Sequence, residues 1–380
     1  MSRLHQLAIN PRTLLYSGFV LTGVVNTVLG PVLPWLSARW ALSDAAAGSL
    51  FTVQFAGGLT AGALSGAIAS RVGVGRTLAL GYALMAAGLA TMAASGRAGG
   101  VVGIATAGVG LGCVIPLTNL MAARLTPTRA AAALGAVNLC WGLGAAMWPL
   151  VVAISIGRSR LPAAIACVCV LLAAMMVLLT RAAFPADAPA TDERRAVQAV
   201  SVSLTRLAAF GVSIALYSGV ESAIGGWVTE YARRLAAGVA ESRWELAASV
   251  FWGGLTAGRA AVAMWLTKRW ETIAVFAGLT AVVSAIVLLL VAPAVGTVLV
   301  AAMVCGAGLS PVFPVTVAAL AREFPTRMAG PMVALGSLGA GTLPWIVGAI
   351  SDRFGSLAIG FATLEVFVVV LVALQVRRVL

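Results

Sequence analysis

Charged side chains are scarce in this chain. They make up only 10% of its 380 residues, while hydrophobic residues make up 61%. A soluble domain carries about a quarter charged residues. The mean hydropathy of +1.02 agrees with this difference. The composition therefore excludes an ordinary soluble domain and predicts an integral multi-pass membrane protein, with room for about a dozen spans of roughly 20 residues each.

The residues of common catalytic and metal sites are nearly absent. The only histidine is His5, in the amino-terminal tail, and all five cysteines fall in apolar runs. There is no Ser-His-acid set, metal-ligand cluster, P-loop or disulfide framework. We therefore expect no enzyme activity, no ATP hydrolysis, no metal and no cofactor. The first apolar run lacks a signal-cleavage pattern, so we expect it to be the first span.

Long apolar runs set the number of spans. Residues 182–204 form the longest polar stretch and are predicted to be a cytoplasmic linker between an amino-terminal bundle, residues 1–181, and a carboxy-terminal bundle, residues 205–380. A turn is expected at 292–294. The pattern predicts an all-α membrane protein with six spans, a linker and six more. The expected spans are 13–38, 45–70, 77–96, 98–123, 130–157, 161–180, 207–229, 246–267, two within 272–321, 328–351 and 354–376.

The net charge of +13 comes from basic residues scattered in short loops. With twelve spans, sixteen of them fall on the side of the two termini and eight on the other side. Basic residues favour the cytoplasmic side of a membrane protein and contact anionic lipid there. We expect both termini to be cytoplasmic in a plasma membrane, the inner membrane of a bacterium. The lipid bilayer, and not nucleic acid, is the expected partner of this charge.

An internal repeat relates the two halves. Residues 107–129 and 305–327 align without a gap at an offset of 198, with eleven identities. A second pair of matches, at an offset of 195, joins Gly144 to Gly339 and Pro149 to Pro344. Parallel six-helix repeats about an axis normal to the membrane are a transporter design. The repeat predicts two pseudo-symmetric six-helix bundles.

Three charged residues lie inside apolar runs: Glu221, Arg259 and Glu365. A charge in the membrane is costly unless it is paired or lines a wet cavity, so such residues point to a functional pathway. Glu221 is a candidate for binding a cation, taking up a proton or accepting hydrogen bonds from a solute. Arg259 stays charged and needs a counter-ion, water or an anionic substrate. A direct Glu221–Arg259 pair is left open by their different depths.

The loop after the second span carries GAIASRVGVGR, residues 66–76, which resembles the cytoplasmic signature of the major facilitator superfamily. Ser70 stands where that signature has an aspartate. A fuller copy of the pattern, GAISDRFG at residues 348–355, is expected at the opposite side. The resemblance implies that spans one, four, seven and ten line a central cavity. It puts Glu221, on span seven, at the pathway, and Glu365, on span twelve, at the periphery, where we expect a structural hydrogen bond.

Within that superfamily the chain is most similar to the fucose permease-like sugar transporters. The resemblance implies a small-molecule substrate, most readily a sugar. Sugars are held by amide hydrogen bonds and aromatic faces in a concave site. The stretches that carry the resemblance are GLGCVIPLTN, NLCWGLGAAMWP, SGVESAIGGW, AGR, GLSPVFP and LGAGTLPW. The candidate substrate-binding residues are Asn26, Gln54, Asn119, Asn138, Trp141, Glu221, Trp252 and Arg259.

The sequence favours a secondary or facilitative transporter that works by alternating access as a monomer. The first six spans contain no membrane-embedded carboxylate, so a proton or sodium ion, if one is coupled to transport, must use Glu221 or Glu365. We assign coupling to Glu221, because the resemblance puts span seven, and not span twelve, at the cavity. Two alternatives stay open at this point. One is efflux of amphipathic or cationic compounds, attracted by an acid in an apolar cavity. The other is a membrane receptor or scaffold that has the fold without transport.

Overall fold

The structure, a computed structural model, describes residues 10–156, 160–182, 184, 203–237, 243–324 and 326–379. Within these ranges the chain is helical and contains no strand. The fourteen α-helices described are α1 Pro11–Asn26, α2 Leu29–Trp40, α3 Asp44–Val72, α4 Val74–Ala94, α5 Arg97–Arg124, α6 Ala130–Ile156, α7 Leu161–Arg181, α8 Leu204–Leu235, α9 Ala247–Trp265, α10 Glu271–Leu290, α11 Val295–Leu309, α12 Val312–Glu323, α13 Thr326–Phe354 and α14 Leu357–Val379.

These helices form twelve membrane spans. The pairs α1–α2 and α11–α12 each make one broken span, and eleven of the spans in the described part are long and apolar enough to cross a membrane. The twelfth is α9, whose hydropathy is lowered by Arg259 at its middle. The predicted all-α, twelve-helix fold in two bundles is confirmed. Most of the predicted linker, 182–204, lies outside the described residues.

The first span breaks between Asn26 and Leu29, where the sequence predicts one continuous helix. Pro31 explains the break, because its ring clashes with the carbonyl of the residue four positions earlier and it has no N–H. Two other carbonyls at the break accept side-chain hydrogen bonds. Gln54 Nε2 donates to the Asn26 oxygen at 3.0 Å, and Trp148 Nε1 donates to the Val28 oxygen at 3.4 Å. Irregular backbone is tolerated inside a membrane only where its polar groups have such hydrogen-bond partners.

The packing of the two bundles follows the sequence repeat. Gly144 of α6 lies so close to α1 that a side chain there would overlap the Val20 carbonyl. Gly339 of α13 stands in the same relation to the Ala215 carbonyl of α8. Gly339 lies 195 residues after Gly144, and Ala215 lies 195 residues after Val20. Glycines permit this close helix approach in membranes, so the duplicated sequence produces duplicated helix contacts.

We name the two ends of the molecule by its helices. The terminus face is where α1 begins and α14 ends, and the opposite face is where α2 ends at Trp40 and α3 begins at Asp44. Hydrogen bonds, an ion pair and close glycine contacts join the bundles between the centre of the molecule and the opposite face. An example is Thr52 of α3, whose hydroxyl donates to the Gly341 carbonyl of α13 at 2.6 Å.

Candidate functional site

A cavity of about 240 Å³ lies between the two bundles. Its lining comes from α1, α2, α3, α5 and α6 of the first bundle and from α8, α9, α12 and α13 of the second. The first, fourth, seventh and tenth spans all contribute, as the resemblance implied, and so do the second, fifth, eighth and eleventh. The predicted residues that line it are Asn26, Asn138, Trp141, Glu221, Trp252 and Arg259.

An ion pair spans the wall of this cavity. Arg259 Nη2 of α9 lies 2.8 Å from Glu221 Oε2 of α8. The two side chains are only 25% and 13% exposed, so the charges compensate each other in a partly dry site. Glu221 and Arg259 therefore pair directly, which their different depths along the sequence had left open. The guanidinium Nε is buried and has no hydrogen-bond partner among the described residues.

Tyr217 contacts both members of the pair and is not among the predicted site residues. Its hydroxyl donates to Glu221 Oε2 and accepts from Arg259 Nη2 at 2.9 Å. Tyr217 lies four residues before Glu221, which places both side chains on one face of α8. That spacing, in a chain with four tyrosines, was a usable signal. Its ring packs on Phe313 of α12, with centroids 5.6 Å apart.

Two tryptophans from different bundles meet beside the ion pair. The rings of Trp141 and Trp252 lie edge to face, with centroids 5.7 Å apart and an interplanar angle of 82°. The Arg259 guanidinium carbon lies 5.7 Å from the centre of the Trp141 ring, within the range of a cation–π contact. Trp252 Nε1 is buried without a partner among the described side chains. Trp252 and Arg259, two residues that line the cavity, thus each have a buried N–H donor without a partner among the described residues.

The four predicted amides separate into two groups. Asn26 and Asn138 line the cavity, whereas Gln54 and Asn119 do not. Gln54 is only 3% exposed because its amide is bonded to the break in the first span. Asn119 accepts a 2.9 Å hydrogen bond from Asn138 Nδ2. The expectation that Gln54 and Asn119 face the cavity is therefore wrong, and both support residues that do.

Glu365 differs from the expectation of a structural hydrogen bond. Both of its carboxyl oxygens are buried, and neither has a hydrogen-bond partner among the described residues. It does not line the cavity. The residues described also hold no group of three or more histidine, cysteine, aspartate or glutamate side chains that could bind a metal. The charged chemistry at the cavity is that of Glu221 and Arg259.

This arrangement suits a ligand rich in oxygen atoms with one flat, apolar face. Unpaired N–H groups in a poorly hydrated site favour acceptor oxygens, because an unmet buried donor costs about 1–3 kcal/mol. The tryptophan rings offer apolar area to a ring face. The carboxylate of Glu221 is an acceptor that Arg259 and Tyr217 occupy in this structure.

Residues 15–349 match the sequence profile of the Major Facilitator Superfamily. Comparison with curated protein sequences gives no match.

Solved structures share the fold. A variant of the nucleoside transporter NupG superimposes with a TM-score of 0.78 at 13% identity, over 97% of this chain and 99% of that one. A D-xylose-proton symporter gives 0.71 at 17% identity, over 96% of each chain. The inward-open xylose transporter XylE from E. coli gives 0.72 at 15% identity, over 95% of this chain and 94% of that one. At these identities the likeness is one of fold.

Proposed function

The chain belongs to the major facilitator superfamily, and from this premise we propose that it moves a small polar solute, most readily a sugar, by alternating access, with a cation coupled through Glu221. The observation that carries the proposal is the Tyr217–Glu221–Arg259 cluster at the wall of the central cavity. A charged pair at membrane depth marks a solute or ion pathway by default.

The sugar substrate is supported by the chemistry of the cavity wall. Trp141 and Trp252 supply aromatic faces, and the unpartnered N–H groups of Trp252 and Arg259 supply donors for hydroxyl oxygens. Asn138 adds an amide. The fucose permease-like sequence stretches favour the same class. Proteins of similar fold include a D-xylose-proton symporter and a nucleoside transporter, whose named substrates carry several hydroxyl groups.

Coupling is proposed to work through exchange of partners. In the structure Arg259 neutralises Glu221, so an approaching solute oxygen competes for the guanidinium. When the solute takes Arg259, Glu221 loses its counter-ion in a site of low exposure. A proton or sodium ion then binds Glu221, because an uncompensated charge there is unfavourable. The solute and the cation would thus stabilise each other's binding.

The same pairing weakens the case for efflux of cationic compounds. That alternative rests on a lone acid in an apolar cavity, and here the acid has an arginine at 2.8 Å.

We further propose a monomer in a bacterial inner membrane with cytoplasmic termini. The proposed domains are the bundles 1–181 and 205–380, joined by the linker 182–204.

The test is uptake by purified protein in proteoliposomes. Pentoses, hexoses, deoxyhexoses, nucleosides and an organic cation are supplied one at a time, with a proton gradient, a sodium gradient or neither. We expect saturable uptake of a sugar that one of the gradients drives uphill. Uptake of only the organic cation would overturn the sugar assignment, and binding of a sugar without flux would support the receptor alternative.

A further inference from the structure

The cavity wall carries few groups that can hold a charge. Among the described residues that line it, Glu221 and Arg259 are charged, and Tyr217 is the one further titratable side chain. The first bundle and helices α12 and α13 contribute only neutral groups to the wall. Glu365 of α14 and Cys305 of α11 belong to the same bundle as the pair but do not line the cavity. The charge of the cavity therefore depends on Glu221, because a guanidinium keeps its proton.

Protonation of Glu221 changes the charge balance of this wall. With Glu221 ionised, the two charges cancel. With Glu221 protonated, Arg259 is left as an uncompensated cation whose side chain is only 25% exposed, and an unpaired charge in such a site is unfavourable. A neutral sugar does not restore the balance, whereas a solute with one negative charge does. We therefore expect a proton on Glu221 and an anion on Arg259 to bind together.

The Arg259 guanidinium has hydrogen-bond donors left for an anion. Its Nη2 donates to Glu221 Oε2 at 2.8 Å and to the Tyr217 hydroxyl at 2.9 Å, and neither Nε nor Nη1 is hydrogen-bonded to a described residue. Arginine commonly binds a carboxylate through two parallel N–H···O bonds. A solute carboxylate that replaces Glu221 at Nη2 would form the second bond of that pair with Nη1.

Asn138 indicates what else the solute must carry. Both N–H groups of its amide are used, one by Asn119 Oδ1 at 2.9 Å and the other by the Leu134 carbonyl at 2.8 Å. The acceptor Oδ1 remains, and it accepts from a hydroxyl but not from a carboxylate. Asn138 lies three residues before Trp141, so both are on one side of α6. Because the Arg259 guanidinium carbon is 5.7 Å from the centre of the Trp141 ring, a hydroxyl-binding group lies near the anion-binding group.

We propose that the solute is a hydroxylated carboxylic acid, such as a sugar acid, whose carboxylate binds Arg259 while one proton binds Glu221. The proton enters and leaves with the solute, so each cycle moves no net charge. This inference rests on the proposed coupling through Glu221 and narrows the solute from sugars in general to their acids.

The test compares acids with neutral compounds of the same carbon skeleton. Isothermal titration calorimetry of the purified protein measures binding of D-glucuronate and D-glucose, D-galacturonate and D-galactose, and D-gluconate and D-glucitol. The measurements are made at about pH 5.5 and about pH 7.5, where the solute carboxylate stays ionised. We expect an acid to bind at least about tenfold more tightly than its neutral counterpart, because charge-assisted hydrogen bonds are the stronger ones. Its affinity should rise by up to about tenfold for each pH unit of acidification, since the complex holds one more proton than the free protein.

Two variants and one control separate the roles of the charges. Glu221→Gln fixes the neutral state, so at about pH 7.5 it should bind the acid about tenfold more tightly than the wild type, without pH dependence. Glu221→Gln with Arg259→Gln removes the cation as well and should lose the preference for the acid. Glu365→Gln is the matched control, because Glu365 is also embedded in the membrane but does not line the cavity. It should leave every affinity unchanged.

Uptake distinguishes this inference from the proposed function. In proteoliposomes a pH gradient should drive accumulation of the acid, and a membrane potential set with potassium and valinomycin should not. A neutral sugar bound as tightly as its acid, or no binding of any acid of the panel, would overturn the inference, and gradient-driven uptake of a neutral sugar would then leave the proposed function standing. Accumulation driven by the potential would overturn the pairing of one proton with one anion. Binding of an acid without uptake would support the anion site and count against transport.

Discussion

Removing one partner of the Glu221–Arg259 pair tests the candidate site most directly. We expect Glu221→Gln to destabilise the protein by about 2 kcal/mol. Breaking a fully buried pair costs about 3–5 kcal/mol, and an exposed pair is worth about 0.2–1 kcal/mol. Exposures of 13% and 25% place this pair between the two. Arg259→Gln should cost a similar amount, since it leaves the carboxylate uncompensated.

The double variant gives the interaction energy itself. Glu221→Gln with Arg259→Gln removes both charges, so its cost should be smaller than the sum of the single costs by about 1–2 kcal/mol. The free energy of unfolding in detergent is the measurement. Glu365→Gln is the matched control, because Glu365 is also embedded in the membrane but has no partner among the described residues. Strictly additive costs for the pair would refute the coupling.

The same variants separate coupling from solute movement. Glu221→Gln keeps the shape of the protonated side chain but cannot release a proton and has no negative charge to attract a cation. It should abolish gradient-driven accumulation in proteoliposomes and retain solute exchange, whereas Glu365→Gln should retain both. Accumulation at the wild-type level in Glu221→Gln would refute the assignment of coupling to this residue.

Three further predictions concern the surroundings of the pair. Tyr217→Phe removes the hydroxyl that contacts both charges. We expect gradient-driven accumulation of the solute to fall about tenfold (about 1.4 kcal/mol), with little change in solute exchange. An unchanged ratio of the accumulation rate to the exchange rate would contradict this role. Trp141→Ala and Asn138→Ala should each weaken solute binding about tenfold in a direct binding assay while the protein remains folded. Gly144→Ala should lower the unfolding temperature, because its methyl group meets a backbone carbonyl, whereas Gly135→Ala in the same helix has open space and should be neutral or slightly stabilising.

Hydropathy was enough to predict the spans because membrane helices must be long and apolar. It could not predict the break at Thr27, although Pro31 was visible in the sequence. A proline in a membrane helix either kinks or interrupts it, and the outcome depends on which neighbours satisfy the freed carbonyls. Here Gln54 and Trp148 donate to the carbonyls of Asn26 and Val28, on either side of Thr27. Gln54 was expected in the solute site because an amide can hydrogen-bond a solute. The same group can instead donate to a backbone carbonyl, as it does at this break.

The contacts of the site depended on helix orientation, which sequence spacing does not give. Glu221 and Arg259 were placed at different depths from their positions along α8 and α9. The long arginine side chain bridges that difference, as such side chains commonly do in membranes. Tyr217 was not predicted because it is neutral, although it lies one helical turn from Glu221.

The two bundles are related by a repeat, but only the second bundle carries charged residues at the cavity. Gly30 and Gly225 are 195 residues apart and lie against each other, as expected of equivalent residues beside the axis that relates the bundles. Four residues earlier in each bundle stand Asn26 and Glu221, also equivalent, and both line the cavity.

Duplication therefore supplied two matching positions at the cavity, and only one of them bears a charge. A carboxylate at both would place like charges across a small cavity, which is unfavourable at low exposure. With Asn26 as the neutral counterpart, Glu221 needs a single compensating cation, and Arg259 provides it. This reasoning predicts that Asn26→Asp adds an uncompensated charge. It should raise the pH or cation dependence of transport, and a transport profile identical to the wild type would contradict the equivalence of the two positions.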